Sequence, residues 1–173
     1  MDTFTVNGWA LYQHQLMAEI LAELENQVES LIVRFEAENN DRDITDHPLI
    51  KLYDAITDNI YIHVPANPQH PNYLLGNTLI NTNVLKRTLK SDSKAFLRVK
   101  RQGLPDRYRL FFRFQSAAPR SIIYIWMNSE RTQRKAGSKT DVYTVFSKML
   151  NKGDVPVSYK ELLKQSRPMQ RPN

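Results

Sequence analysis

The chain has 173 residues, enough for one domain with a substantial core, and its lack of cysteine excludes disulfide bonds, thiolate metal sites and a cysteine nucleophile. No apolar run approaches the roughly 18 residues of a membrane span, and the first residues do not resemble an export signal, so we expect a cytoplasmic protein. The net charge of +6 does not indicate a membrane-surface protein, because the basic residues fall in predicted strands and loops and not on an amphipathic helix.

The charge is divided unevenly along the chain. Residues 1–60 hold 12 acidic and three basic side chains, whereas the remaining 113 residues hold 21 Lys and Arg against six acids. This asymmetry predicts a polyanionic partner for the second region, with nucleic acid as the first candidate and an acidic protein as the next.

The first third of the chain has helical periodicity. Apolar residues recur at helical spacing from His14 to Phe35 with glutamates between them, which predicts a long amphipathic helix. Thr45 or Asp46 followed by Pro48 favours the start of a second helix, which ends before Pro65.

The period then changes from 3.6 to 2. Residues 65–92 are predicted to form an irregular connection, within which 78–90 is a candidate short helix or partner-binding segment. Alternating stretches at 94–101, 107–114 and 121–128, separated by short turns, predict an antiparallel meander.

The C-terminal part returns to helical periodicity after a basic loop. Ser138 or Thr140 is a candidate cap for a helix that ends at Gly153, and 157–164 is a candidate short helix. We therefore expect an α+β fold in which a meander is flanked by two N-terminal helices and a C-terminal helix. The expected division is a single domain over 1–165, with a helical part at about 12–64, the connection at 65–92, the sheet at 93–128, the basic loop and helix at 129–152, and a flexible tail at 166–173.

Cations occupy one face of the first two predicted strands. Alternation places Tyr108, Leu110, Phe112 and Phe114 in the core and gives the other face a set of five cations. That set is Arg98, Lys100, Arg107, Arg109 and Arg113, with Phe111 among them. A solvated face, in which arginine stems cover apolar surface, accounts for the same pattern.

A phosphodiester suits this charge, and the residue types needed to cleave RNA without a metal or cofactor are present. The 2′-hydroxyl of RNA is an internal nucleophile, so an enzyme has to remove its proton, neutralise the phosphate and protonate the leaving oxygen. Arginine suits the second task because its planar fork pairs with two phosphate oxygens. Further candidates for contact with RNA are Arg131, Arg134, Lys135 and Lys139 of the basic loop, and Phe111 and Trp126 as stacking platforms.

Candidates for proton transfer are few in the basic region. Tyr143, near the start of the last helix, is a candidate base, because surrounding cations would favour the phenolate. A tyrosine that bridges helix and sheet is the alternative. Glu130 and Asp141 are candidate acid, base or orienting groups, although a helix N-terminal charge is the simpler explanation of Asp141. His14 is the least remote of the histidines, and none of them has metal-ligand spacing.

Four blocks in chain order resemble a YhaV-type toxin of a type II toxin–antitoxin pair, a group within the RelE-like ribonuclease toxins. They are NGWALYQH (7–14), RYRLFFRF (107–114), IIYIWMN (122–128) and KTDVYTVFSKML (139–150). The resemblance implies a RelE-like sheet flanked by helices and an endoribonuclease that cuts mRNA and stops translation. It also implies a cognate antitoxin similar to AbrB-type, PrlF-like swapped-hairpin proteins, binding of operator DNA through the complex, and the ribosome as a further candidate partner.

Matched motif to motif, the family's strand arginine falls on Arg109, where it would face the scissile phosphate with Arg113 in support. The strand cations before the turn fall on Arg98 and Lys100, and the helix tyrosine falls on Tyr143. The family's loop cation stays open between Arg131, Arg134 and Lys139. Ser129 stands where the group has an acidic residue, so that role would pass to Glu130 or be absent. The alternative function is a non-catalytic regulatory module that binds nucleic acid or antitoxin through the same basic face.

Overall fold

A six-stranded mixed sheet forms the centre of the fold. The computed structural model describes residues 3–38, 43–75, 96–129, 132 and 138–172. The strands are β1 (Thr5–Val6), β2 (Trp9–His14), β3 (Leu97–Lys100), β4 (Arg109–Gln115), β5 (Ser121–Met127) and β6 (Ser166–Pro168). Their order is β1-β2-β5-β4-β3, and β6 also pairs with β2. The antiparallel pairings of β3 with β4 and of β4 with β5 confirm the predicted meander and the α+β class.

The helices cover both faces of this sheet. They are α1 (Gln15–Ala37), α2 (Pro48–Asp58), α3 (Val64–Ala66), α4 (Val142–Lys152) and α5 (Tyr159–Lys164). A π-helical turn, Asn59–His63, joins α2 to α3. The cap of α2 is His47, whose Nδ1 accepts from the backbone N–H of Leu49, so the prediction of Thr45 or Asp46 was wrong. Within the described ranges, no helix is long and apolar enough to cross a membrane.

The N-terminal strands add a parallel pairing that periodicity did not predict. β2 runs parallel to β5, with Leu11 opposite Ile122, and α1 begins directly after β2. β2 also pairs antiparallel with β6, in the register of Gln13 with Arg167. The prediction of a flexible tail was therefore wrong for residues 166–169, since Met169 is also buried. Main-chain pairing orders a segment whose polar composition gives no periodic signal.

Each face of the sheet has its own apolar core. The first core joins β2, β3, β4 and β5 to α1 and α2 through residues such as Leu11, Leu110 and Phe112. The second core joins the opposite face to α4 and α5, and Phe111, Phe146 and Leu162 are fully buried in it. The predicted cationic face is therefore not an open surface, because α4 lies across it.

A polar network around the buried Asn59 holds the turn between β3 and β4. Asn59 donates to the backbone carbonyls of Ala55 at 2.7 Å and Gln102 at 3.0 Å, and its Oδ1 accepts from the Gln102 side chain at 2.8 Å. These bonds help to hold three consecutive residues of the turn at positive φ, namely Arg101, Gln102 and Gly103. The hairpin that carries Arg98 and Arg109 is thus fastened to the helical layer on its far side.

Candidate active site

Tyr143 meets two arginines of the sheet where α4 begins. Its hydroxyl oxygen accepts a hydrogen bond from Nε of Arg98 at 3.0 Å and another from Nε of Arg109 at 3.0 Å. The two arginines lie on neighbouring strands and point to the same face, because Arg98 is opposite Phe111 in the β3–β4 register. The structure therefore brings together three of the predicted catalytic residues.

The start of α4 explains why Tyr143 points at the sheet. Asp141 caps the helix, and its Oδ2 accepts the backbone N–H of Tyr143 at 3.1 Å. The Ser147 hydroxyl donates to the Tyr143 carbonyl one turn later, at 2.8 Å. The Tyr143 ring meets Phe111 edge-on, with centroids 5.9 Å apart. A local cap and an aromatic contact across the interface thus set the direction of the phenol.

Arg109 is a buried arginine with most of its donors engaged. It exposes 4% of its surface, and its Nη1 donates to the backbone carbonyls of Asp106 and Tyr108, both at 2.8 Å. Its backbone N–H donates to Oδ1 of Asn128 at 2.7 Å. Among the described residues, none accepts a hydrogen bond from its Nη2. The described contacts of the guanidinium thus involve its Nε and Nη1.

Arg98 forms the more accessible side of the cluster. It is half-buried, and its Nη1 donates to the Asn72 carbonyl at 2.6 Å. Its Nη2, like that of Arg109, has no acceptor in the described part of the chain. Lys100 is exposed and pairs in register with Arg109, which places both side chains on one face of the hairpin. Arg107 and Lys139 are also exposed.

Comparison with known proteins identifies the family. The family model for a toxin with endonuclease activity, of a toxin–antitoxin system, matches residues 11–167. The chain is 37% identical to the Ribonuclease toxin YhaV of Escherichia coli strain K12 over 161 residues. This match covers 93% of this chain and 94% of that protein. The chain belongs to the YhaV toxin family. The identity of this chain to the Toxin YhaV of Escherichia coli O157:H7 is also 37%, with the same coverage. No solved structure gives a significant match.

A further strand arginine, Arg113, packs against the second core in this YhaV-family toxin. The Arg113 guanidinium donates to the Val157 carbonyl and lies over the rings of Phe96, at 4.7 Å, and Tyr159, at 5.4 Å. It fastens the segment between α4 and α5 to the sheet. That Arg113 also supports Arg109 at the phosphate stays a prediction.

The predicted stacking residues lie within the second core. Phe111 is fully buried and stacks on Phe146 with centroids 4.0 Å apart, so its prediction as a platform for bases was wrong. The reason is that α4 covers this face, which strand alternation alone cannot indicate. Trp126 is half-buried, and one of its ring faces stacks on Phe146 at 6.0 Å.

The alternative acid and base candidates have structural partners. Asp141 is buried and caps α4, in agreement with the simpler explanation of this carboxylate. His14 is fully buried, where its Nδ1 accepts from the Leu16 backbone and its Nε2 lies 2.8 Å from the side-chain oxygen of Gln165. Glu130, Arg131, Arg134 and Lys135 lie outside the described residues, as does the 78–90 segment.

Two asparagines that sequence reasoning missed contact the arginines directly. Asn72 supplies a backbone carbonyl to Arg98, and Asn128 supplies its side chain to the backbone of Arg109. The only signal for Asn128 was its place in the WMN block, and a backbone contact such as that of Asn72 leaves no signal in residue types. In the described ranges, no three His, Cys, Asp or Glu side chains are grouped so that they could hold a metal ion.

Proposed function

We propose that this toxin is an mRNA endoribonuclease that works without a metal ion, by attack of the 2′-hydroxyl of RNA on the adjacent phosphodiester. The observation that carries the proposal is the convergence of two guanidinium Nε donors on the hydroxyl oxygen of Tyr143. Two charge-assisted donors stabilise negative charge on that oxygen, which is what a phenolate base requires.

Each residue of the cluster has one task in this scheme. The Tyr143 phenolate accepts the 2′-hydroxyl proton as the bond from O2′ to phosphorus forms. The Nη2 groups of Arg98 and Arg109 neutralise charge on the phosphate oxygens. The bond from phosphorus to O5′ breaks, and the Lys100 ammonium protonates O5′. The products are a 2′,3′-cyclic phosphate and a 5′-hydroxyl, and a water molecule then hydrolyses the cyclic phosphate to a 3′-phosphate and a 2′-hydroxyl.

The partners follow from the family and from the charge of the chain. A toxin of a toxin–antitoxin system has an antitoxin, and we propose an AbrB-type, PrlF-like swapped-hairpin protein for this chain, with operator DNA bound through the complex. The exposed cations Lys100, Arg107 and Lys139 form the RNA-binding rim, and the cytoplasm and the ribosome are the proposed setting. Co-purification with such an antitoxin, followed by footprinting of operator DNA, tests this part.

The experiment for the activity uses antitoxin-free protein and a 5′-labelled mRNA in EDTA, with and without ribosomes. Wild type and Tyr159→Phe, which loses a phenol hydrogen bond at the other end of β5, should both cleave. Tyr143→Phe should lower the rate by about two orders of magnitude and leave RNA binding intact. Intact RNA in every lane together with tight binding that weakens with salt would instead support the non-catalytic module. Cleavage that EDTA abolishes would contradict the metal-free mechanism.

A further inference from the structure

Asn128 directly follows β5, and its side chain is enclosed, with 2% of the residue exposed. Its Oδ1 accepts from the Arg109 backbone N–H at 2.7 Å. Its Nδ2 donates to the backbone carbonyls of Arg107 at 3.1 Å and Thr132 at 3.0 Å. These partners fix the orientation of the amide, because the reversed orientation would place its oxygen against two carbonyl oxygens.

The Asn128 side chain continues the pairing of β4 beyond the end of β5. The last backbone pair of the two strands joins Leu110 to Met127. The carbonyl of residue 107 and the N–H of residue 109 face the same edge of β4 and would lose their partners where β5 ends. An amide side chain offers one donor and one acceptor, as a peptide group does, and satisfies both. The hydrogen-bonded edge of β4 therefore extends through Arg109, although the chain after β5 leaves the sheet.

The third bond of Asn128 fixes the start of the basic stretch. Residues 129 and 132 form a turn, in which the Ser129 N–H donates to the Thr132 hydroxyl and the Thr132 N–H donates to the Ser129 carbonyl, both at 3.1 Å. Asn128 holds the carbonyl of Thr132 in this turn. The Asn128 side chain thus joins the strand that carries Arg109 to the turn at Ser129 and Thr132, with which the basic stretch 129–140 begins.

We propose that Asn128 is a positioning residue that aligns Arg109 with Tyr143, an inference that rests on the proposed function. Arg109 is held at its backbone by Asn128 and at its Nε by Tyr143, so a shift of the strand end moves the guanidinium relative to the phenol oxygen. A displacement of about 1 Å is enough to lower a reaction rate by about two orders of magnitude.

Two variants separate the bonds of Asn128. Asn128→Ala removes all three, and the nearly isosteric Asn128→Asp keeps the acceptor for the Arg109 N–H and removes the two donations. The matched control is Ser121→Ala, which removes a buried hydroxyl paired with Tyr159 at the opposite end of β5. We expect both Asn128 variants to lower kcat by about ten- to a hundredfold, because Asn128→Asp also sets its second carboxylate oxygen against the two carbonyls, with KM for RNA changed by less than about threefold.

The second readout is the NMR signal of the arginine Nε–H groups, which reports the bonds of Arg98 and Arg109 to Tyr143 without any substrate. Tyr143→Phe assigns these signals. Asn128→Ala should shift the Arg109 Nε–H signal and speed its hydrogen exchange, whereas Ser121→Ala should leave it unchanged even if it lowers Tm equally. A folded Asn128→Ala protein with wild-type kcat and wild-type Nε–H signals would overturn the proposal. If the alanine variant does not fold, the same measurements are made on Asn128→Asp. If wild type does not cleave RNA, the proposed function fails, and the Nε–H signals still decide whether Asn128 positions Arg109.

Discussion

Arg109 of β4 donates its Nε–H to the hydroxyl of Tyr143 of α4 at 3.0 Å, and each residue exposes 4% of its surface. This bond lies within the interface between helix and sheet that also contains Phe111 and Phe146. The polar cluster and the apolar core therefore lie in the same interface between helix and sheet. The packing of α4 sets the distance between the Arg109 guanidinium and the Tyr143 hydroxyl. In this YhaV-family toxin, changes to the cluster should affect both stability and cleavage.

Arg109→Lys tests the use of the planar guanidinium. A lysine keeps the charge but cannot bond the Tyr143 hydroxyl and the carbonyls of residues 106 and 108 in one plane. We expect a loss of about 1 to 3 kcal/mol in the free energy of unfolding and a fall of about a hundredfold in cleavage. Urea unfolding and cleavage of labelled RNA measure the two effects.

The matched control is Arg120→Lys. Arg120 is exposed at the opposite end of the sheet and lies over the Trp9 ring at 4.0 Å. Its replacement should change stability by less than about 1 kcal/mol and leave cleavage at the wild-type rate. Equal behaviour of the two variants would mean that the bond between Arg109 and Tyr143 has no special role.

Phe111→Ala separates a core role from a stacking role. Phe111 is fully buried between Tyr143, Trp126 and Phe146, so its truncation should lower the free energy of unfolding by about 3 to 5 kcal/mol. Phe111→Leu keeps most of the volume and should retain most of the stability and RNA affinity. A Phe111→Leu protein with wild-type stability and strongly reduced RNA affinity would restore the stacking interpretation.

The periodic elements could be predicted from sequence, whereas their contacts could not. The apolar spacing of 14–35 predicted α1, which the structure places at Gln15–Ala37, and alternation predicted β4 and β5. The parallel pairing of β2 with β5 and the pairing of β6 with β2 join segments distant in sequence, and local patterns hold no information on such pairs.

The site divides in the same way. Chemistry could select Tyr143 and the set of five strand cations, because cations beside a phenol suit a phosphodiester, and the family resemblance singled out Arg98, Lys100 and Arg109 among them. Arg113 and Phe111 have the same alternation as Arg109, and only the course of α4 and α5 over the sheet separates them from it. One face of a strand thus holds a residue that contacts Tyr143 and residues that pack beneath the helices, which a two-residue period cannot distinguish.

The exposed cations should determine the salt dependence of RNA binding. Lys100, Arg107 and Lys139 are solvent-exposed in the structure. Each contact with a phosphate that is removed should reduce the slope of log K against log salt concentration by about 0.7 for single-stranded RNA. Replacement of each by Gln, with affinity measured from low to high salt, checks this. The control is Lys51→Gln on the acidic α2 side, and a loss of slope there as large as for Arg107→Gln would contradict the assigned surface.

Tyrosine ionisation should weaken the fold at high pH. Burial raises the pKa of Tyr159 to about 12, although the hydrogen bond with Ser121 and the charge of Arg113 act in the opposite direction. Burial also raises the pKa of the enclosed Tyr124. The unfolded chain ionises near pH 10, so the folded state binds more protons above that value and its stability falls as pH rises from about 10 towards 12.

Tyr159→Phe isolates one part of this effect. The variant should be less stable than wild type at pH 8, because Ser121 loses its partner, and its stability should decline less steeply between pH 10 and 12. Urea unfolding at a series of pH values measures both. An unchanged slope in the variant would show that Tyr159 does not titrate differently in the folded and unfolded states.

Removal of the C-terminal residues tests whether β6 belongs to the folded core. A chain that ends at Gln165 loses the pairing of β6 with β2, the bond from the Met169 N–H to the Leu11 carbonyl at 2.8 Å, and the buried Met169 side chain. Burial of a methionine alone contributes about 2 to 5 kcal/mol relative to alanine, so we expect a destabilisation of at least about 3 kcal/mol. Met169→Ala should account for most of it.

A chain that ends at Gln170 keeps all three contacts and should remain within about 1 kcal/mol of wild type. Within the described part of the chain, the contact that it loses is that of Arg171 with the Phe4 ring at 6.0 Å. If the two truncated chains unfold at the same urea concentration as wild type, the segment after α5 does not stabilise the sheet.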